Sequence, residues 1–426
     1  MIVNGKDKIM IQRTKVKKCQ DILVNKKFLF TILIFMTNII SWGYVLFVDA
    51  DAVNRYFVNN ANFSDFFTPM TKTRITTYSE PHFSNYPPLA NIFFLIMRKA
   101  NYTVEYSELI NDTALGVFFL LFMLLSFLGL YEMSKRYMIN GNKVINVLCI
   151  LSLLTSGPFL YLYSRSNILI FVVVLLMFFS KYYSCENKYL RELSYIALAF
   201  ATALKIYPVF FGLLLIKKGN FKNYMRTLIY GIVLFFIPFL VYGTDSLSLF
   251  INNLFFREGI TVLNHAIGIK GAIQLLWGLI RGEIIRESLN LWWGLALLLM
   301  VCILILNKTE WKRTFAVSML CIWTFNGSYL YNVCLLAIPL LMFVNEENTQ
   351  IKDWIYTILF AILFVILFLP DTEQLNLLLQ AENLGYVSGA IIVTNIMLIV
   401  LALFAFVDSI YEEVIRRKAK SKSKVK

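Results

Sequence analysis

The sequence predicts an all-α polytopic membrane protein, and three observations carry that prediction. Hydrophobic residues make up 58% of the 426-residue chain and charged residues 15%, with a mean hydropathy of +0.66. A water-soluble fold of this size has no interior large enough to hide so much apolar surface. Apolar runs of roughly 17–25 residues, the length that crosses a bilayer, recur from end to end. The charge distribution is the third observation. Residues 1–27 hold eight Lys or Arg and residues 416–426 hold seven, out of 40 in the chain. These two tails flank the outermost spans, and most other basic residues fall in short loops, the pattern that marks cytoplasmic segments. The net charge of +14 therefore tracks topology, and nucleic acid is not an expected partner.

The elements follow in order. Residues 1–27 are expected to be a cytoplasmic basic tail, 28–407 a multi-pass transmembrane domain, and 408–426 a second cytoplasmic basic tail. The run Phe28 to Val48 is too long for a signal-peptide core and reads as an uncleaved anchor crossing outward. A polar first outer loop, from Asp49 to about Asp112, follows. It contains a short apolar run, Leu89 to Met97, which is too short to span and reads as a juxtamembrane or re-entrant helix. Residues 114–131 cross inward to Lys135, Arg136 and Lys143, residues 144–163 cross outward to Ser164–Asn167, and residues 168–180 return inward.

The segment Leu193 to Ile216 is long enough to cross once, yet both its flanks are basic, the second with Lys217, Lys218, Lys222 and Arg226. It also breaks at Lys205-Ile206-Tyr207-Pro208, where proline removes a helical donor and restricts the residue before it. Two short helices meeting near the outer half of the membrane satisfy both facts. Residues 227–242 then cross outward, Gly243 to Leu289 form a large outer loop, and residues 291–306 return. Residues 315–325 with 331–344, and 354–369 with 389–407, complete two further pairs. The sum is about eleven or twelve transmembrane or half-membrane helices. None of the six cysteines forms a C-x-x-C pair or falls in an outer loop, so neither a disulfide framework nor a zinc site is expected.

This topology gathers the polar clusters at one face. Asp49, Asp51 and Asp65, Tyr86-Pro87-Pro88, Arg165 with Asn167, Lys205 with Tyr207, Asn264-His265, and Asn326 with Ser328 all lie at the outer end. A transporter more naturally places its polar groups near the midplane. Asp65 sits among aromatics in Phe63-Ser64-Asp65-Phe66-Phe67. A carboxylate beside apolar rings suits a general base, and a helix N-cap or solvated loop residue is the plainer alternative. Asp49 and Asp51, where the first span exits, compete for the same role or serve as interface anchors. Lys205 and Arg165 fall at or within the membrane, where charge is costly and by default functional. Together they suit a phosphate at headgroup level; snorkelling is the alternative. Tyr86-Pro87-Pro88 rigidifies the start of a helix. No phosphate-binding loop, zinc-protease, nucleophile-elbow or dinucleotide motif is present.

These residues resemble glycosyltransferase family 87, of the C-type membrane glycosyltransferases. Asp65-Phe66-Phe67, Tyr78 and Tyr86-Pro87-Pro88-Leu89-Ala90-Asn91 look like that family's first outer loop. Arg165-Ser166-Asn167-Ile168 looks like its R-G-N-I or G-Q-x-N element, with Ser166 in place of glycine. Ala203-Leu204-Lys205-Ile206-Tyr207-Pro208 looks like its K-x-x-P element, and Ser328-Tyr329 before the Pro339 helix looks like its penultimate outer turn. The resemblance implies a C-type glycosyltransferase-like bundle. It also implies transfer of a hexose, often mannose, from a polyprenyl-phosphate donor to an acceptor hydroxyl on the outer face, usually with inversion. The acceptor would be lipid-linked or a cell-envelope polysaccharide. The family's base is a first-loop carboxylate, which maps best to Asp65, with Asp49 and Asp51 as rivals. Lys205 and Arg165 would take the donor phosphate; Tyr86, Asn167, Tyr207, Asn264, His265, Asn326 and Ser328 would line the substrates. The scheme requires no metal, although the outer aspartates could hold a divalent ion. A transporter or flippase of a lipid-linked sugar is the competing reading.

Overall fold

The structure is a computed structural model, and it describes residues 25–53, 57, 63–72, 78, 84, 86–97, 112–216, 221–243, 245–259, 267–283, 289–324, 328–347, 349–366 and 389–424. All regular structure among these residues is helical, as the composition requires of a chain that satisfies its backbone within the bilayer. Four described helices are long and apolar enough to cross a membrane: α1 (Lys26–Phe47), α4 (Thr113–Tyr137), α9 (Phe221–Phe236, extended by a 3-10 turn to Val241) and α16 (Gly389–Lys424). Between the first two lie α2 (Ser64–Lys72) and α3 (Pro88–Met97). The latter is the short helix anticipated after Pro87-Pro88.

Side-chain caps fix where helices start. Asn25 accepts Lys27 N at 2.9 Å, and Asp112 accepts Ala114 N and Leu115 N at 2.9 and 3.1 Å. Asn142 and Asn187 do the same for α5 (Lys143–Leu154) and α8 (Lys188–Leu204). Each such cap contributes about 1 kcal/mol. Large side chains such as Phe35, Ile40, Leu120, Leu125, Leu240, Leu298 and Ile305 are exposed, a belt that only lipid would solvate cheaply.

Two expectations change. The span 144–163 is not one helix: α5 ends at Leu154, and α6 (Gly157–Arg165) leaves it at 52°. Ser156 and Pro158, at the start of α6, explain the break, because proline favours the first turn of a new helix. The stretch 243–289 is not simply a loop, since it contains α10 (Ser246–Gly259) and α11 (Ile269–Arg281). The described residues at the tail boundaries are continuous with the helices beside them. Lys26 and Lys27 are buried, and Lys27 Nζ donates to Asn146 Oδ1 at 2.8 Å. At the other terminus α16 continues past residue 407 to Lys424.

The broken segment at Lys205 is a hairpin. α8 ends at Leu204, Lys205 is extended, and a 3-10 segment runs from Tyr207 to Leu215. A Cβ on Gly212 would stand 4.0 Å from Leu198 Cδ2, so the 3-10 segment returns alongside the helix that precedes it. The start of α9 then lies level with the start of α8: Arg226 pairs with Glu192 at 3.3 Å, and Tyr230 Oη donates to Glu192.

The centre is α13 (Glu310–Trp323), in which every residue from Trp311 to Trp323 is buried. Around it stand α12 (Asn290–Leu306), the 3-10 segment Tyr207–Leu215 and a 3-10 turn Leu330–Leu336 running into α14 (Ala337–Val344). α15 (Ile351–Phe364) reaches it through Tyr356, whose ring lies 4.9 Å from that of Trp311, and α7 (Leu169–Tyr182) packs on α8 and α4. An ionic cluster ties three helices at one end. Lys312 meets Asp408 at 2.6 Å and Glu412 at 2.8 Å, Lys352 meets Asp408 at 2.8 Å, and Tyr356 Oη donates to Asp408 at 3.0 Å. The other end of α13 leads to Ser328 and Tyr331. Its 14 residues separate the two ends by about 21 Å.

Candidate active site

At that second end the chain gathers groups from five segments around Asp65. The first segment is set by Phe63, which has φ 55°. Its amide donates to Ser164 O at 2.9 Å, and its ring packs 4.8 Å from Phe119. The loop is thereby joined to the end of α6, and Asp65 is delivered in the first turn of α2. There Arg165 grips the carboxylate with both arms of its guanidinium, Nη2 to Oδ1 at 2.6 Å and Nε to Oδ2 at 3.0 Å. Asn167 Nδ2 adds a third contact to Oδ2 at 2.8 Å. A carboxylate offers about four acceptor positions, so one, on Oδ1, is left open among the described residues.

Ser166 explains how Arg165 and Asn167 reach the same carboxylate. It is a left-handed cap (φ 50°, ψ 42°), fully buried, at the end of α6. Glycine takes that conformation without strain, which accounts for glycine in the R-G-N-I pattern. Here the Ser166 hydroxyl compensates by donating to Tyr163 O at 2.8 Å. The Asn167 side chain is used at both ends, because its Oδ1 accepts Leu169 N at 3.0 Å.

Lys205 arrives at the hairpin tip. Its ammonium lies 4.5 Å from the centre of the Tyr86 ring, a cation–π placement, within the fields of Asp65 and Arg165. No described residue gives it a hydrogen bond or ion pair. Tyr86 is held from behind. Its carbonyl accepts Tyr78 Oη at 2.5 Å and Asn91 Nδ2 at 3.2 Å, and its amide donates to Ser84 Oγ at 3.2 Å. Tyr78 in turn packs on Phe239 and Phe250, so the first loop is docked onto the ends of α9 and α10. Burial raises the Tyr86 phenol well above its ordinary range, and the Asp65 carboxylate adds to the effect, so the hydroxyl keeps its proton and is available as a donor.

The structure thus brings together Asp65, Arg165, Asn167, Lys205 and Tyr86. Tyr207 stands at the edge, its hydroxyl donating to Asn332 Oδ1 at 3.2 Å. Ser328 is buried and donates to Ile322 O at 2.6 Å, so its hydroxyl closes the turn after α13. Asp49 and Asp51 stay near the end of α1, where Asp49 Oδ1 accepts Asp51 N at 3.1 Å. Asn264, His265 and Asn326 lie outside the described residues. Among the described residues no three His, Cys, Asp or Glu side chains gather as a metal would require; Asp65 meets cations instead.

Aromatic residues missing from the sequence-based set complete the surroundings. Tyr331 accepts from Asn167 Nδ2 at 3.3 Å and stacks between Tyr161 and Tyr329, with ring centres 6.0 and 5.5 Å away. The Arg165 guanidinium lies over Tyr329 at 5.6 Å. Beside the cluster an apolar groove of about 330 Å³ runs between α3, α4, α7 and α8. Its lining includes Leu89, Ile168 and Leu204, the last two being the immediate sequence neighbours of Asn167 and Lys205. The groove therefore ends at the charged site.

A multi-pass α-helical membrane protein with a carboxylate and two cations at one end is the class these features define. The family model of glycosyltransferase family 87 matches residues 83–339, more than half of the 426-residue chain. The chain belongs to glycosyltransferase family 87 and is a membrane glycosyltransferase. Of the site residues, Tyr86, Arg165, Asn167 and Lys205 fall within the match, and Asp65 precedes it. No curated protein and no solved structure matches the chain.

Proposed function

We propose that this glycosyltransferase moves a hexose, with mannose the first to test, from a polyprenyl-phosphate carrier to an acceptor hydroxyl on the outer face of the cell membrane, with inversion. The observation that carries the proposal is the Lys205 ammonium. It is a half-buried cation with no described anionic partner in contact, at the end of an apolar groove and beside a carboxylate. A lipid phosphate has the matching parts: a hydrocarbon tail for the groove and an anion for Lys205.

In this scheme Asp65 takes the proton of the acceptor hydroxyl at the open position of Oδ1. The hydroxyl oxygen attacks the anomeric carbon as the bond from that carbon to the phosphate oxygen breaks. Polyprenyl phosphate leaves with the electron pair, and Lys205 stabilises the charge that grows on it. Arg165 holds the carboxylate in line and keeps the site net cationic, so its part in phosphate binding is shared with its grip on Asp65. The membrane orients the donor and lowers the entropic cost of encounter.

The test is incubation of the purified protein with a panel of polyprenyl-phosphate hexoses and cell-envelope acceptors, following release of free polyprenyl phosphate and the anomeric configuration of the product. Release with at least one hexose is expected. If sugar nucleotides serve as donors and every polyprenyl-phosphate sugar stays intact, the donor assignment fails.

A further inference from the structure

About 21 Å from the Asp65 site along α13, at the end where α13 begins, the structure has a second cavity, of about 660 Å³, between the 3-10 segment Tyr207–Leu215, α12 and α13. Its lining divides by chemistry. Ile216, Leu304 and Ile305 supply hydrocarbon; Asn307, Lys308 and Arg313 supply polar groups. Ile216 and Ile305 are 60% and 74% exposed and belong to the lipid-facing belt, so acyl chains can reach the cavity sideways.

Its polar groups are incompletely satisfied. Arg313 is only 6% exposed. Its Nη2 makes one long contact, 3.4 Å to Leu214 O. Its Nη1 is buried with no hydrogen-bond partner among the described residues, and Glu310 Oε1 stands 3.6 Å from it. Glu310 is itself engaged, accepting Tyr183 Oη at 2.6 Å. Asn307 is also buried. Its Nδ2 donates to Ile303 O and Ser409 Oγ, both at 2.7 Å, whereas Oδ1 has no donor. Lys308 is exposed at the rim. A buried donor and a buried acceptor left unmade are costly unless something fills them.

We propose that this cavity is a binding site for an anionic phospholipid with a hydroxylated headgroup, distinct from the catalytic site. The phosphate sits between Arg313 and Lys308, a headgroup hydroxyl donates to Asn307 Oδ1, and the upper acyl chains lie along Ile216, Leu304 and Ile305. Basic pockets between membrane helices bind anionic headgroups by this combination of charge and hydrocarbon. A free phosphate would satisfy the cations but leave the apolar wall and Asn307 Oδ1 unmatched. A zwitterionic choline lipid would bring a second cation against Arg313 and no donor for Asn307.

The experiment is native mass spectrometry of the full chain in neutral detergent, titrated with phosphatidylglycerol, phosphatidylcholine or inorganic phosphate. One phosphatidylglycerol is expected to stay bound at activation energies that strip phosphatidylcholine, and inorganic phosphate should not displace it. Arg313→Gln should weaken that binding about tenfold, the loss of one charge-assisted contact. Ile305→Trp, which narrows the cavity without altering charge, should do the same. Lys308→Gln and Ile305→Trp change exposed positions and keep the test decisive if Arg313→Gln does not fold. Equal retention of the two lipids, displacement by inorganic phosphate, or unchanged binding in Ile305→Trp and Lys308→Gln would each overturn the proposal.

Discussion

Asp65 and Arg165, one hundred positions apart in the chain, meet in a two-armed contact at 2.6 and 3.0 Å. The pairing places Arg165 on the carboxylate, where the sequence reading assigned it to the donor phosphate. It also makes the aspartate separable from its neighbours by experiment. Asp65→Asn keeps the shape and the contact to Asn167 in a flipped amide, yet cannot accept a proton. Transfer should fall about 100- to 10,000-fold, with donor binding retained in equilibrium dialysis. Asp49→Asn and Asp51→Asn should transfer at near the wild-type rate. If either of them is dead while Asp65→Asn works, the base lies at the end of α1.

Replacing Arg165 tests the grip. Arg165→Lys keeps the charge but not the fork, so turnover should drop more than the donor KM rises. Arg165→Ala removes the partner of a carboxylate that is 14% exposed. Stability should fall by about 3 kcal/mol, the lower end for breaking a largely buried pair, as read from unfolding in detergent.

Lys205→Ala should lower kcat by about 100- to 1,000-fold, the effect of removing one donor at a developing charge, without unfolding the protein. Lys205→Arg should recover only part, because a larger, planar guanidinium presents its charge to a phosphate differently from a compact ammonium. Near-normal turnover in Lys205→Ala would mean that the cation merely reaches for the interface.

The apolar groove makes a prediction about chain length. Leu125→Trp, at its exposed wall, should raise KM for a long polyprenyl donor and leave a short prenyl analogue little changed. Equal effects on both would place the tail elsewhere.

Ser166 predicts a local energy balance. Ser166→Gly removes the left-handed strain, about 1–2 kcal/mol, and also the hydroxyl contact to Tyr163, about 0.5–1.5 kcal/mol. Stability should therefore stay within about 1 kcal/mol of wild type. Ser166→Val, β-branched in the same conformation and with no hydroxyl, should melt distinctly earlier and lose activity.

Much of this site was legible in the sequence because its members are polar residues in apolar surroundings. Lys205 and Arg165 stood out by cost alone, and Pro208 with two basic flanks disclosed the hairpin. The partnership of Asp65 with Arg165 was not legible, since charge spacing in sequence says nothing about which cation closes on which carboxylate. Tyr331 and Tyr161 escaped notice because tyrosine is common in this chain, and only the hydrogen bond from Asn167 singles one out. The break between α5 and α6 was hidden for the opposite reason: both halves are apolar, so hydropathy runs through the 52° bend without a mark. The burial of Ser328 and its hydrogen bond to Ile322 O were equally invisible, because a turn residue's packing depends on elements distant in sequence.

The spread of the site along the chain bears on how the protein is made. Asp65, Tyr86, Arg165, Lys205 and Tyr331 leave the ribosome in that order, and the contact from Asn167 to Tyr331 can form only after three quarters of the polypeptide has been synthesised. A nascent chain released from the insertion machinery before that point holds the carboxylate and both cations but lacks Tyr331, the middle ring of the tyrosine stack beside them. Assembly of the complete cluster is thus a late event in biogenesis, and a truncated product in the membrane carries the paired carboxylate without its full aromatic surround.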